Sequence, residues 1–384
     1  MCDPPIRFPM TDPNVPEQPL FTARGKFSCP VCGGEAQWNP TKQALVCTYC
    51  GTESPATIDP GTGDIQEHDL ATALRNIPDN ERGWQRATRS VQCQSCRAIS
   101  VFPPERVSQR CDFCGSGSLL PYEQAKPPIS PESLLPFKFS ESNARDAVRK
   151  WYAGVWFAPD RLKKAALTDT VHGMYLPYWT FDSRVHCAWT AESGTYYYET
   201  ESFTDNNGES QTREVRQVRW EYASGEIDHF FDDELIPASK GITPALLRAV
   251  EPFPTTTELV KYDPGFLSGW VVEQYQIDLI AAAQKARTQM TGKLEAQCAS
   301  QVPGDTQRNL QISPQFAADT YKHILLPVWL LSYTYGGRAW QVVINGYNGK
   351  LEGEYPKSWV KITFLVLSIL LLILILASLG GKGR

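Results

Sequence analysis

The sequence predicts an α+β protein: two small β-rich zinc ribbons, an antiparallel-sheet α+β domain and one C-terminal transmembrane helix. Three observations predict it. Eight of the eleven cysteines fall into four Cys-x-x-Cys pairs within the first third of the chain. Residues 129–356 carry alternating apolar segments of strand period, punctuated by glycine and proline turns. Ile362 to Leu379 then runs without a single charge.

The cysteines carry the most specific signal. Cys29 and Cys32 are followed, after fourteen residues, by Cys47 and Cys50; Cys93 and Cys96 are followed, after the same fourteen, by Cys111 and Cys114. Identical spacing marks an internal repeat. Two such knuckles bring four thiolates into a tetrahedron around Zn²⁺, and a set with no vacant position suits a structural site rather than a catalytic one. Two structural zinc sites are therefore expected, Cys29/Cys32/Cys47/Cys50 and Cys93/Cys96/Cys111/Cys114. Gly33, Gly51 and Gly115 each follow a second cysteine, where a left-handed residue lets backbone N–H groups point at sulfur. Arg97 occupies that place in the third knuckle. Trp38 to Val46 and Ala98 to Val101 have the character of ribbon strands. Cys2, Cys187 and Cys298 are isolated and odd in number, a pattern that suits a reducing compartment. Cys187 and Cys298 read as small buried hydrophobes.

In chain order, residues 1–25 form a proline-rich tail without periodicity, expected to be disordered. Ribbon 1 spans 26–56, a helical connector 57–90 and ribbon 2 91–120. Within the connector, Glu67 to Ile77 predicts a helix with Leu70, Leu74 and Ile77 on one face, ended by Pro78. His68 reads as a surface residue rather than a ligand, since each ribbon already has four cysteines. The proline-rich linker 121–131 separates the ribbons from an α+β domain over 132–356. Ser140 to Gly154 predicts a capped helix packing Ala144, Val148, Trp151 and Tyr152 inward. Leu279 to Cys298 predicts a longer one. Leu176-Pro-Tyr-Trp179 and Leu326-Pro-Val-Trp329 form a second, weaker repeat, compatible with two related halves. The later copy runs through Gly336-Gly337, Arg338 to Ile344 and Asn345 to Gly349, a three-stranded meander. Prolines 177 and 327 are expected at strand starts or on an edge.

The apolar run predicts a transmembrane helix over 360–380, since eighteen residues at about 1.5 Å each approach the roughly 30 Å hydrocarbon core. Tyr355 and Trp359 precede it at headgroup depth. Lysines and arginines flank it evenly (Lys357 and Lys361 against Lys382 and Arg384), so flanking charge does not set orientation. The opening residues contain no apolar run of signal-peptide type. The expectation is a single-pass, tail-anchored protein of the inner cell membrane with its bulk in the cytoplasm.

No phosphate-binding loop, nucleophile elbow or His-Glu-x-x-His motif occurs. His229, Asp232, Asp233 and Glu234 form the densest polar cluster of the large domain, and a strand followed by an acidic turn accounts for them. No enzymatic activity is expected. Nucleic acid is disfavoured by charge: residues 28–116 hold eight Lys/Arg against ten Asp/Glu, and the whole chain carries −5, whereas phosphate-binding modules are basic.

Several segments together carry a family resemblance: the paired ribbons with Asp69-Leu-Ala-Thr-Ala-Leu74 and Arg82-Gly-Trp84 between them, Arg219-Trp-Glu-Tyr-Ala-Ser-Gly225, Phe231-Asp-Asp233, Tyr262-Asp-Pro264, Leu325-Leu-Pro-Val-Trp329 and the terminal apolar run. Beyond residue 25 the chain resembles bacterial membrane-anchored double zinc-ribbon proteins, loosely labelled primosomal-helicase-related or TFIIB-type. The helicase label finds no ATPase motif here. Some members of that family are encoded beside SPFH (flotillin-like) and phage-shock-protein-A-like proteins. The resemblance implies a membrane scaffold or adaptor with a protein partner of one of those kinds. The alternative is a membrane-tethered nucleic-acid binder.

Overall fold

The computed structural model describes residues 27–29, 31–53, 65–75, 89–102, 110–122, 128–159, 171–204, 210–336 and 338–380. The proline-rich tail, Pro78 and Arg82-Gly-Trp84 lie outside them.

Ribbon 1 is a three-stranded sheet of β1 (Phe27–Ser28), β2 (Glu35–Asn39) and β3 (Ala44–Cys47). The connector contributes β4 (His68–Asp69) and α1 (Leu70–Arg75), and ribbon 2 contributes β5 (Arg89–Cys93), β6 (Ile99–Phe102) and β7 (Leu119–Pro121). Then follow β8 (Ser133–Leu134), α2 (Glu141–Gly154), β9 (Val171–Thr204) and β10 (Ser210–Pro237). After α3 (Pro244–Ala249), α4 (Thr255–Glu258) and β11 (Val260–Lys261) come β12 (Val271–Glu273), α5 (Leu279–Gln301) and β13 (Thr306–Tyr335). The chain ends with β14 (Arg338–Asn345), β15 (Leu351–Gly353) and α6 (Trp359–Gly380).

The expected antiparallel sheet is in fact mixed. β9 and β13 lie antiparallel at its centre, each continues into an antiparallel neighbour (β10 and β14), and each also takes a short parallel partner (β12 and β8). The order strand, helix, long strand, hairpin strand therefore occurs twice, as β8–α2–β9–β10 and as β12–α5–β13–β14. The two Leu-Pro-x-Trp segments face each other across the centre, with Leu176 opposite Leu326.

Prolines 177 and 327 sit inside long central strands, not at starts or edges. The register explains why this is tolerated. On the side of β9 away from β13, β12 pairs up to Tyr175 and β10 begins at Tyr178. On the far side of β13, β8 pairs up to Leu325 and β14 begins at Val328. Each proline falls in the gap where one partner strand gives way to the next, so its missing N–H deprives no ladder.

Both faces of the sheet are covered, which is why these central segments read as near-continuous apolar runs. Met174, Leu176, Tyr178, Ile324, Leu326 and Val328 point into a core shared with α3 and ribbon 2. Tyr175, Leu325, Trp329 and Leu331 point into one shared with α2 and ribbon 1. Further along, Trp179, Phe181, Val185 and Cys187 pack under α5, whose buried stripe is Leu279, Ala282, Ala286, Met290, Leu294 and Cys298.

Several expectations are corrected locally. Linker 121–131 separates ribbon 2 from the large domain in sequence but not in space, because β6 pairs with β12 and extends the main sheet. α1 buries Leu70 and Ala73, whereas Leu74 is exposed and Ile77 lies outside the described residues. His68 is only partly exposed; it docks the connector, pairing with Tyr321 in the sheet and holding Glu132 at 3.1 Å. α2 keeps its expected start, with Ser140 accepting from the Asn143 N–H, and Trp151 is half-buried.

The transmembrane expectation needs restating. Among the described residues, no helix is long and apolar enough to cross a membrane. α6 is an apolar helix whose Phe364, Leu367, Leu370, Leu371 and Leu374 are exposed. Its base is tied to the domain: Lys361 Nζ donates to the carbonyls of Trp156 and Ala158 at 3.1 and 2.9 Å.

Candidate metal centres

The four cysteines of each ribbon converge. In ribbon 1, Sγ–Sγ separations are 3.5 Å for Cys29–Cys50, 3.5 Å for Cys32–Cys47 and 3.4 Å for Cys32–Cys50. In ribbon 2 the matching pairs, Cys93–Cys114 and Cys96–Cys111, are each 3.6 Å apart. A tetrahedral ion with metal–sulfur bonds of about 2.3 Å would set sulfurs about 3.8 Å apart. Both clusters fit such an ion, with all eight ligand atoms coming from the cysteines expected from sequence.

The backbone builds each knuckle the same way. The N–H of Gly33, Gly51, Arg97 and Gly115 donates to the carbonyl of Cys29, Cys47, Cys93 and Cys111, at 2.8–3.0 Å. All four residues are left-handed, with φ of 69°, 71°, 64° and 71°. Arg97 therefore adopts the glycine conformation despite its side chain. Backbone N–H groups of Val31 and Phe113 also reach the first sulfur of their knuckles, Cys29 and Cys111, at 3.4 Å each.

Electrostatics favour losing the first proton from each cluster. The Thr52 hydroxyl, 3.1 Å from Cys50, draws that thiol down to about 6. The Cys96 thiol does the same for Cys111. The cost falls on the neighbours. Although the Gly34 N–H pulls the Cys32 thiol down, the surrounding cysteines raise it to about 12. A cation at the centre relieves that repulsion, since metal binding and deprotonation are one linked event.

The ribbons sit differently on the molecule. Ribbon 1 docks through its strands: Trp38 packs on Phe266 with ring centroids 4.6 Å apart, and Ser268 Oγ donates to the Ala36 carbonyl at 2.8 Å. Ribbon 2 docks through both a strand and a knuckle, with β6 paired to β12. Phe113, between Cys111 and Cys114, is fully buried against Ala98 and Gly241.

A third group, Asp182, Asp232 and Asp233, also brings carboxylate oxygens together. The Lys322 ammonium stands beside this group, 2.9 Å from Asp233 and 3.1 Å from the neighbouring Glu67, and offsets part of its negative charge with the chain's own cation. The cluster marks a bend: β10 bulges between Phe231 and Glu234, and β13 between Ala317 and Thr320, on either side of Asp182. Asp182 accepts the Asp233 N–H at 2.6 Å, which the bulge releases from the ladder. Burial raises the Asp182 carboxyl to about 6. His229 lies against Phe231 instead, at 4.4 Å between rings, and forms no hydrogen bond or ion pair with Asp232 among the described residues. Cys187 and Cys298 are both fully buried, their sulfurs 3.9 Å apart.

Comparison with known proteins adds one relative. The chain is similar to the uncharacterized protein YdjG of Bacillus subtilis (strain 168). Identity is 24% over 349 residues, which is 88% of this chain and 91% of that protein. No protein-family model matches the chain, and no solved structure matches it.

Proposed function

We propose that this protein is a non-enzymatic, membrane-associated scaffold whose two cysteine clusters hold structural Zn²⁺ and whose ribbon 1 presents a docking surface to a protein partner. One observation carries the reading: ribbon 1 is fixed to the domain by its strands, yet its knuckle tips remain exposed. A rigid, already-ordered surface lowers the cost of binding. Four cysteines leave a metal no open position for catalysis.

Membrane association rests on α6 and its surroundings. The helix is apolar through its exposed length, and its tie to Lys361 brings Trp156 to the same end as Trp359. These residues are 51% and 81% exposed. Two exposed tryptophans beside a lysine, at the base of an apolar helix, suit the headgroup layer. The cysteine pattern, eight in Cys-x-x-Cys pairs and three isolated, suits a reducing compartment and supports a cytoplasmic inner-membrane placement. The family resemblance supplies the partner class, an SPFH-like or phage-shock-protein-A-like protein.

The test is purification of the full-length chain from its host in mild detergent at low salt, with protein, zinc and nucleic acid quantified together. A stoichiometric protein partner, two zinc ions per chain and little nucleic acid are expected. Cys29→Ser should abolish partner recovery while the chain stays in the membrane fraction. Abundant nucleic acid released by moderate salt, without a protein partner, would instead support the tethered nucleic-acid binder.

A further inference from the structure

The internal repeat makes ribbon 2 a template for what ribbon 1 is built to do. Position for position, Tyr49 of ribbon 1 corresponds to Phe113 of ribbon 2, each directly before the last cysteine of its cluster. The sulfur geometry around them is the same within 0.1 Å for the Cys29–Cys50 and Cys93–Cys114 pairs. Their surroundings are opposite. Phe113 is 0% exposed and Tyr49 is 80% exposed.

The seat of Phe113 is specific. Its ring lies so close to Gly241 that a Cβ there would come within 2.7 Å of it, and Ala98 closes the same recess. Gln341 Nε2 donates to the Phe113 carbonyl at 3.2 Å and to the Gly241 carbonyl at 2.9 Å. The recess is therefore floored by small residues and rimmed by a side-chain amide, with the buried Glu273 carboxyl on the far side of Gly241.

Tyr49 is held ready in a comparable way but has no recess. Its ring rests on Gly34, where a Cβ would come within 2.5 Å, so the aromatic is positioned rather than free to swing. Val31, on the neighbouring knuckle, is 71% exposed. Residues 31–34 and 48–52 contain no charge. The equivalent of Val31 in ribbon 2 is Ser95, whose hydroxyl is bonded to Ser116. The apolar pair Tyr49 and Val31 is thus particular to the exposed ribbon.

We infer that Tyr49, with the exposed Val31 on the neighbouring knuckle, is the anchor by which ribbon 1 binds a protein partner presenting an apolar recess, floored by glycine or alanine and rimmed by an amide donor. A second copy of this chain is not the occupant, because its own seat of that kind is filled by Phe113. The inference rests on the scaffold reading and names the contact through which it acts. Buried aromatic anchors dominate interface energy, and truncating one weakens binding by about thirtyfold.

The experiment uses the full-length, membrane-extracted chain with a photo-crosslinking phenylalanine analogue at position 49. The crosslinked protein and peptide are identified by mass spectrometry, and that partner's affinity is then measured for wild type, Tyr49→Ser, Tyr49→Phe, Val31→Ser and Cys29→Ser. Zinc content is read for each. Expected are a crosslink into an apolar recess floored by small residues, an affinity loss of about thirtyfold for Tyr49→Ser and near-wild-type binding for Tyr49→Phe. Both tyrosine variants should keep two zinc ions. Wild-type affinity in Tyr49→Ser and Val31→Ser, with binding lost in Cys29→Ser, overturns the anchor and leaves the scaffold standing. Absence of any bound protein, or full binding in Cys29→Ser, overturns both.

Discussion

Arg97 shows how a single position can depart from its motif without changing the geometry. Its φ of 64° matches the knuckle glycines, and a residue with a Cβ pays roughly 1–2 kcal/mol for that conformation. Arg97→Gly should therefore stabilise ribbon 2 by about 1 kcal/mol. A competition titration with a chromogenic chelator would register this as tighter metal retention. Glu273 is a second residue whose environment outweighs its type. It is fully buried in β12, and burial raises its carboxyl to about 8 although Ser239 and Gln276 hydrogen-bond to it. Its unfolded value is about 4.3, so between those values the folded chain keeps a proton that the unfolded chain releases. Its favourable contribution is complete below about pH 4 and is lost as pH rises towards 8. Glu273→Gln should flatten that decline, giving a melting temperature above wild type at pH 8 and nearly equal at pH 5. An unchanged slope in both proteins would show that the carboxyl does not titrate with folding. The place of Arg97 is written in the knuckle motif, whereas the burial of Glu273 is not written near it, because β6 and β9 flank β12 on either side.

At the scale of elements, α5 was legible as a helix from its length and lack of breakers, but not by its stripe. Its buried positions include the small side chains of Ala282, Ala286 and Cys298 beside Met290 and Leu294, so its mean polarity differs little around the helix. Leu294 is fully buried in the core beneath it. Leu294→Ala should cost about 3 kcal/mol through transfer and cavity terms, measured by denaturant unfolding. A loss below 1 kcal/mol would mean the core collapses around the gap. The meander β13–β14–β15 was legible from its glycine turn and alternation. The prolines were misread because their rule concerns missing ladder bonds, and only the register reveals that no ladder reaches Pro177 or Pro327 from that side.

For the whole molecule, the two ribbons are unequally tied to the main sheet. Ribbon 2 supplies β6 to the main sheet and Phe113 to its core; ribbon 1 forms its own sheet and packs as a unit. Chelation should release both ions, since such modules depend on metal for folding. Cys93→Ser should lower the global melting temperature by several degrees more than Cys29→Ser. Equal shifts would mean that ribbon 1 supports the sheet as strongly as ribbon 2. The sequence by itself determined the eight ligands, the repeat, the capped helix at Ser140 and the apolar terminal run, because each is written in local spacing. The tertiary structure decided which ribbon joins the sheet, where the prolines are harmless, how Lys322 offsets part of the charge at the acidic bend and which of two matching aromatics is left exposed. Those outcomes depend on pairing between distant segments, and local propensity carries no record of that pairing.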